Sequence, residues 1–318
     1  MAILGIDLGG TKISSALLTT KGNLSVQQSV PLGNREGKEV GVLIREQINN
    51  MRLSPSLQGD NIKSIGISVP GISYSTTGTV WAPNIPGWEN YPLLDEIRSV
   101  SGEIPITIDN DRACHMLGEL WMGNARGCRN AIFLAIGTGI GAGIMVNGEI
   151  LRGSNDIAGS VGWMALNRPF NDNYIDCGCF EYHASGEGIA KVAREYLKRY
   201  NDYHGELSKK RIGEISSYEV LAAYKNGDIL GKKVMEETIE YWGMAVANLI
   251  SIFNPEKIIF GGGLFGPAVS LLPAIKQEAE KWAQPISIRQ VEIVNSTLGG
   301  DAGVYGAGYL ALKNLPGF

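Results

Sequence analysis

Residues 3–18 read Ile3-Leu4-Gly5-Ile6-Asp7-Leu8-Gly9-Gly10-Thr11-Lys12-Ile13-Ser14-Ser15-Ala16-Leu17-Leu18. The apolar, β-branched run Ile3–Asp7 predicts a strand. Gly9-Gly10-Thr11-Lys12 predicts a tight turn, and Ile13–Leu18 predicts a returning strand that ends at the turn signal Lys21-Gly22-Asn23. The same pattern returns later in the chain. Ala131–Ile136 reads as a strand, Gly137-Thr138-Gly139-Ile140-Gly141-Ala142-Gly143 as the turn, Ile144-Met145-Val146 as the resumed strand, and Asn147-Gly148 as a hairpin. Two strand–Gly/Thr turn–strand units predict an internal duplication, one copy in each half. A third cluster, Gly261-Gly262-Gly263, follows the strand-like Lys257–Phe260.

Helical patterns lie between these strands. Asp111–Met122 places Ala113, Met116, Leu117 and Leu120 on one face. Ser185 is positioned to cap a helix with the stripe Ile189, Val192, Ala193, Tyr196 and Leu197. A longer helix through Ile239, Trp242, Val246, Leu249, Ile250 and Phe253 stops at Asn254-Pro255, and the tail from Asp301 to Leu312 is helical and rich in small residues. Alternating strands and helices predict an α/β fold. The expected domains are residues 1–118 and 119–299, with a C-terminal helix at about 300–318 returning to the first.

Composition narrows the function. The 318 residues are 44% apolar, carry a net charge of −4 and contain no Lys/Arg cluster, which argues against nucleic acid as a partner. No apolar run reaches the ~18 residues needed to span a bilayer, so no membrane role is expected. The N-terminus begins at once with a strand, so no signal peptide is expected, and four cysteines make no disulfide framework; a cytoplasmic location follows. Glycine is the outlier, at 42 residues where ordinary usage gives about 22.

Glycine turns expose backbone N–H groups that can surround phosphate oxygens. Gly9 and Gly10 in one turn and Gly137, Gly139 and Gly141 in the other serve this purpose. Thr11 and Thr138 add hydroxyls and Lys12 a cation. Asp7, at its strand end, is placed to hold Mg²⁺ through water. One such loop alone reads better as an ordinary hairpin; two in a duplicated chain point to a nucleotide clasped between two domains. A P-loop is absent. Gly261-x-Gly263-x-x-Gly266 matches the dinucleotide fingerprint but lacks its βαβ context, so it reads instead as backbone approaching an adenosine, at Gly262 and Gly263.

Taken together, these motifs resemble the ROK family of sugar kinases and repressors. Asp7-x-Gly9-Gly10-Thr11-Lys12 is similar to its first phosphate motif, and Ser68-Val69-Pro70-Gly71 with Pro83-Asn84-Ile85-Pro86-Gly87-Trp88 to its sugar-side loops. Asn110-Asp111 with Gly118-Glu119 resembles its catalytic segment. Gly137–Gly143, Gly261–Gly263 and Leu298–Gly303 resemble its second phosphate loop, adenosine loop and last helix start. The resemblance covers essentially the whole chain. It implies a duplicated actin-like, hexokinase-like ATPase fold with two domains around a central cleft, ATP and Mg²⁺ as cofactors, a homodimer, and a small-molecule sugar or cyclitol substrate. It also implies Asp111 as catalytic base and Gly71, Asn84, Asn110 and Glu181 as sugar contacts. Asp111 reads alternatively as a helix N-cap, and Trp88 either as a pocket wall or as a core aromatic.

The chain departs from the family at one segment. Where the family carries Glu-x-Gly-His, this sequence has Ser160-Val161-Gly162-Trp163. Where the family carries Cys-x-Cys-Gly-x-x-Gly-Cys, Asp172 and Tyr174 stand at the first two cysteine positions and only Cys179 is retained as a zinc ligand. The expectations are no structural zinc, a loop held by Trp163, Phe170, Tyr174 and Phe180, and an altered sugar site in which Ser160 and Trp163 set an atypical specificity. Trp163 is placed either to stack on a sugar ring or to fill the missing zinc volume. The alternative function is a non-catalytic sugar sensor related to the family's repressors but without their DNA-binding segment.

Overall fold

The computed structural model describes residues 1–57, 59–200 and 202–317. The first part of the chain runs β1 (Ala2–Leu8), β2 (Lys12–Thr19), β3 (Leu24–Pro31), α1 (Gly37–Arg52), β4 (Ile62–Val69), β5 (Ile72–Tyr74), β6 (Thr79–Trp81), α2 (Leu93–Ser101), β7 (Ile106–Asn110) and α3 (Asp111–Met122). It continues with β8 (Ala131–Ile136), β9 (Ile140–Val146), β10 (Glu149–Ile150), α4 (Cys179–Ala184), α5 (Gly186–Arg199), α6 (Ser217–Lys225) and α7 (Ile229–Phe253). It ends with β11 (Lys257–Gly261), α8 (Leu272–Trp282), α9 (Ser287–Gln290), β12 (Glu292–Asn295) and α10 (Ala302–Lys313).

The chain forms two compact units, one of residues 1–127, 150–158 and 300–318, the other of 128–149 and 159–299. The sequence-based boundary after residue 118 falls inside α3, a continuous helix, and the first unit runs past it. Each unit has a five-stranded sheet, ordered β3-β2-β1-β4-β7 in the first and β10-β9-β8-β11-β12 in the second. In chain order both read third, second, first, fourth, fifth. Each opens with an antiparallel hairpin and adds parallel strands beyond it, β1 on β4 and β8 on β11. The shared strand order makes the duplication explicit.

Local signals set the element ends. Ser185 Oγ accepts the Gly188 N–H at 3.0 Å and caps α5. α7 ends where Asn254 adopts φ 43° before a proline. The last helix is placed by close approach. Gly5 and Gly66 are register partners on β1 and β4. The α10 backbone lies directly on them: a Cβ at Gly5 would stand 2.6 Å from the Val304 oxygen, and one at Gly66 would collide with the Ala307 carbonyl. Two neighbouring glycines flatten the sheet so that a helix rich in small residues can rest on it.

Candidate functional site

In the first unit, the end of β1 carries Asp7. Its register partner on β4 is Ser68, whose Oγ donates to Asp7 Oδ1 at 2.6 Å. On its other side, a Cβ at Gly303 would stand 2.6 Å from the same oxygen, so the start of α10 closes on the carboxylate without a side chain between. The turn after Asp7 is tight, with Gly9 N–H donating to the Lys12 carbonyl at 2.9 Å, and leaves Gly10, Thr11 and Lys12 exposed at its tip. The Asn84 amide nitrogen lies 2.9 Å from where a Gly10 Cβ would be, so a residue of the sugar-side loop meets the first glycine turn.

The Asn110-Asp111 pair sits at the junction of β7 and α3. Asn110, not Asp111, is the cap: its Oδ1 accepts the Ala113 N–H at 2.9 Å. This corrects the reading of Asp111 as N-cap. Asp111 is the first helical residue, and its Oδ1 accepts the Arg112 N–H at 2.8 Å. Desolvation by burial pushes the Asp111 carboxyl above the ordinary carboxylate range; His115 and Arg112 pull it back in part, and Asp7 adds a small upward push. Arg112 Nη2 donates to the Gly71 carbonyl at 3.2 Å, which ties the sugar-side loop to the helix start and uses that oxygen. Trp88 is core and not a pocket wall. It is 1% exposed, stacks on Tyr91 with ring centroids 4.5 Å apart, and donates from Nε1 to the Gly37 carbonyl.

In the second unit, the loop between β8 and β9 is held from several sides. Gly137 N–H donates to the Gly139 carbonyl at 3.0 Å, and Gly186 N–H, at the start of α5, donates to the Gly137 carbonyl at 2.8 Å. Glu181 Oε2 accepts the Ile140 N–H at 2.6 Å, and a Cβ at Gly139 would stand 2.7 Å from the same oxygen. Burial raises the Glu181 carboxyl, and the Ile140 N–H opposes that. The residue expected to face sugar therefore also supports the glycine loop. Gly141 follows in β9, paired with Ala135.

At the end of β11, Gly262 takes φ 88° and packs against the Ile136 backbone; Gly263 follows. Its carbonyl accepts the Tyr218 hydroxyl at 3.2 Å. Gly137, Thr138, Gly186, Ser216, Tyr218 and Gly263 line a cavity of about 320 Å³. Gly137, Thr138 and Gly263 are legible in the sequence, whereas Gly186, Ser216 and Tyr218 are not singled out there. The detectable signal was Ser216-x-x-Glu219, a capping box that opens α6 and sets Tyr218 beside the loop.

The divergent segment is clear as well. Ser160 precedes a single 3₁₀ turn, Val161–Trp163, and Trp163 is 56% exposed. It does not fill the volume of a lost metal site. Phe170 is also largely exposed but meets Tyr174 edge-on at 6.0 Å, and Tyr174 and Phe180 are buried, so of the four expected packing residues Trp163 is the one that stands out from the loop. Tyr174 belongs to an aromatic cluster. His183 stacks on Tyr241 at 4.4 Å, and its Nε2 bonds the Tyr174 hydroxyl at 2.8 Å; Tyr182 meets both Tyr174 and His183 edge-on. The donor set does not fit a tetrahedral zinc: an indole offers no ligand atom, and the Tyr174 hydroxyl is already bonded to the nearby imidazole. Among the described residues no group of three His, Cys, Asp or Glu is arranged to hold a metal, and no helix is long and apolar enough to cross a membrane.

A family model described as "ROK family" matches residues 3–314. The chain belongs to the ROK family. Its structure has the actin-like ATPase fold of ROK kinases. It is 35% identical to a glucokinase of Halalkalibacterium halodurans over 96% of this chain and 94% of that one. It is 33% identical to a xylose repressor of Caldicellulosiruptor bescii, over 82% of this chain and 65% of the repressor. Among solved structures, a ROK family glucokinase from Streptomyces griseus, in complex with glucose and AMPPNP, superposes with a TM-score of 0.78 at 25% identity. It covers 99% of this chain and 100% of that one.

Proposed function

We propose that this ROK protein is a carbohydrate kinase that transfers the γ-phosphoryl group of ATP to a sugar hydroxyl. The observation that carries the reading is the Asp111 carboxylate. Asn110 takes over the capping duty, which leaves an oxygen of Asp111 to accept a proton at a helix N-terminus, in the unit that also holds Asp7 and Lys12. In the reaction the sugar O–H proton passes to Asp111 and the sugar oxygen forms a bond to the γ-phosphorus. The bond from phosphorus to the leaving ADP oxygen breaks. Lys12 and the N–H groups of Gly10, Thr11, Thr138 and Gly139 are assigned to the phosphates; the N–H groups of Gly9 and Gly137, expected from the sequence to join them, instead close their own turns on the Lys12 and Gly139 carbonyls. The cavity beside Gly263 is assigned to the nucleoside. Asp7 is assigned to Mg²⁺ through water; the ion, when bound with ATP, neutralises charge on the phosphates. The proposal places the enzyme in the cytoplasm as a homodimer.

The sugar contacts assigned are Gly71 through its backbone, Asn84, Asn110, Ser160, Trp163 and Glu181. Ser160 replaces a carboxylate that would accept charge-assisted hydrogen bonds from adjacent hydroxyls. Losing such a bond costs about 1.5–3 kcal/mol, roughly 10–150-fold in affinity. Trp163 offers an exposed aromatic face suited to the C–H face of a ring. The favoured substrate is accordingly a less hydroxylated or substituted sugar, a cyclitol or a glycoside, with glucose poor. Comparing kcat/KM for glucose, N-acetylated hexosamines, disaccharides and cyclitols tests this. Ser160→Glu with Trp163→His should raise kcat/KM for glucose by about 10–150-fold. If glucose is already the best substrate and the double variant changes nothing, the specificity reading fails.

The repressor relative and the replaced sugar contacts favour a second reading, a non-catalytic sugar sensor. Sugar binding without phosphorylation in the presence of ATP and Mg²⁺ would select it. On either reading no structural zinc is expected. Protein purified without added zinc should contain less than stoichiometric metal by elemental analysis and keep its melting temperature in a chelator. Stoichiometric zinc whose removal lowers stability would contradict this.

A further inference from the structure

The residues just before the Asn110-Asp111 pair are tied to a loop far away in sequence. Asp109 is 1% exposed. Its Oδ1 accepts the Asn110 N–H at 2.8 Å and lies 3.3 Å from Asn110 Nδ2; its Oδ2 meets Arg152 Nη1 at 2.6 Å. The segment 150–158 that carries Arg152 belongs to the first unit, although the chain on either side of it belongs to the second. The segment is a closed loop. Ala158 N–H donates to the Arg152 carbonyl at 3.0 Å, and Asp156 Oδ2 accepts both the N–H and the hydroxyl of Ser75, each at 3.0 Å. Arg152 is thus held at the neck of a loop whose far end is pinned to the hairpin between β5 and β6.

We propose that Arg152 is a positioning residue for the catalytic segment, acting through Asp109 to fix Asn110 and, through its cap, the first turn of α3 that carries Asp111. This rests on the kinase reading above. The physical chain is continuous. The guanidinium fixes a buried carboxylate, the carboxylate fixes the Asn110 amide, and Asn110 Oδ1 caps the helix on Ala113. Burial pushes the Asp109 carboxyl upward, and Arg152 is the first influence opposing it. Without Arg152 the carboxylate is left buried and uncompensated, and it is free to turn. A displacement of about 1 Å at the base is enough to cost about 10²-fold in rate.

The test uses the full-length protein in two arms. In the first, Arg152→Ala should lower kcat by about 10–100-fold with KM for ATP unchanged. Arg152→Lys, which returns the charge without the forked geometry, should recover part of the loss. In the second, hydrogen–deuterium exchange of residues 105–118 should quicken in Arg152→Ala while the α5–α7 region stays as in wild type. If Arg152→Ala is poorly folded, Asp109→Asn, which keeps the shape and removes the charge, should show the same local quickening. An unchanged kcat, a loss of activity matched by exchange rising throughout the protein, or unchanged exchange at 105–118 would each overturn the proposal. If wild type phosphorylates no sugar, the kinase reading fails. The exchange arm then still decides whether Arg152 orders Asn110 and Asp111.

Discussion

Asp111→Asn is expected to lower kcat for sugar phosphorylation by about 10²–10⁴-fold, the usual cost of removing a general base, with ATP binding retained. Asn has nearly the shape of Asp and can still accept the Arg112 N–H, while Asn110 keeps the α3 cap, so the fold should be undisturbed. The amide cannot take the sugar proton. Steady-state kinetics with the best substrate and nucleotide titration by calorimetry separate the two effects. The wild-type pH profile adds a check. The base must be ionised to act, and burial raises the Asp111 carboxyl. Activity should therefore fall with acidification through a midpoint above the ordinary carboxylate value. That limb should vanish from the residual activity of the variant. Unchanged turnover in Asp111→Asn would remove Asp111 from the mechanism.

Gly66→Ala should destabilise the first unit by about 3 kcal/mol or more, at the upper end of overpacking costs. The new methyl would collide with the Ala307 carbonyl, a backbone atom of α10 that cannot rotate away. Either the helix lifts from β1 and β4 or the sheet bends. For a unit of this size each kcal/mol lowers the melting temperature by about 2–4 °C, so a drop of about 6–12 °C is expected. Gly300→Ala is the control: its Cβ would meet nothing within 4 Å, and its melting temperature should stay close to wild type. Because the start of α10 also closes on Asp7 through Gly303, Gly66→Ala should weaken ATP binding as well. A variant with wild-type melting temperature would mean that α10 does not rest on the sheet as described.

Elements built from near neighbours are legible in the amino-acid sequence alone. Ile3–Leu18 and Ala131–Val146 alternate apolar strands with glycine turns, and backbone preference at each residue suffices to form the two hairpins. Ser185 and Asn254-Pro255 mark helix ends through contacts made within a few residues. The order of the motifs carries the family, and the missing cysteines and histidine are visible as plain substitutions.

Tertiary structure decided whatever depends on which surface a side chain meets. Trp88 and Trp163 are the same residue beside similar glycines, yet one is 1% exposed and the other 56%, because only the first finds Tyr91 and Gly37 packed around it. Asn110 and Asp111 are both good caps, and which of them caps follows from where β7 stops and α3 begins. The Asp109–Arg152 pair joins residues with no sequence pattern in common. So does the seating of α10 on Gly5 and Gly66. The reason is physical: short-range sterics and hydrogen bonds choose the local backbone, and a single sequence writes them residue by residue. Long-range partners are chosen by strand register and by the packing of distant elements, which exist only once the chain has folded.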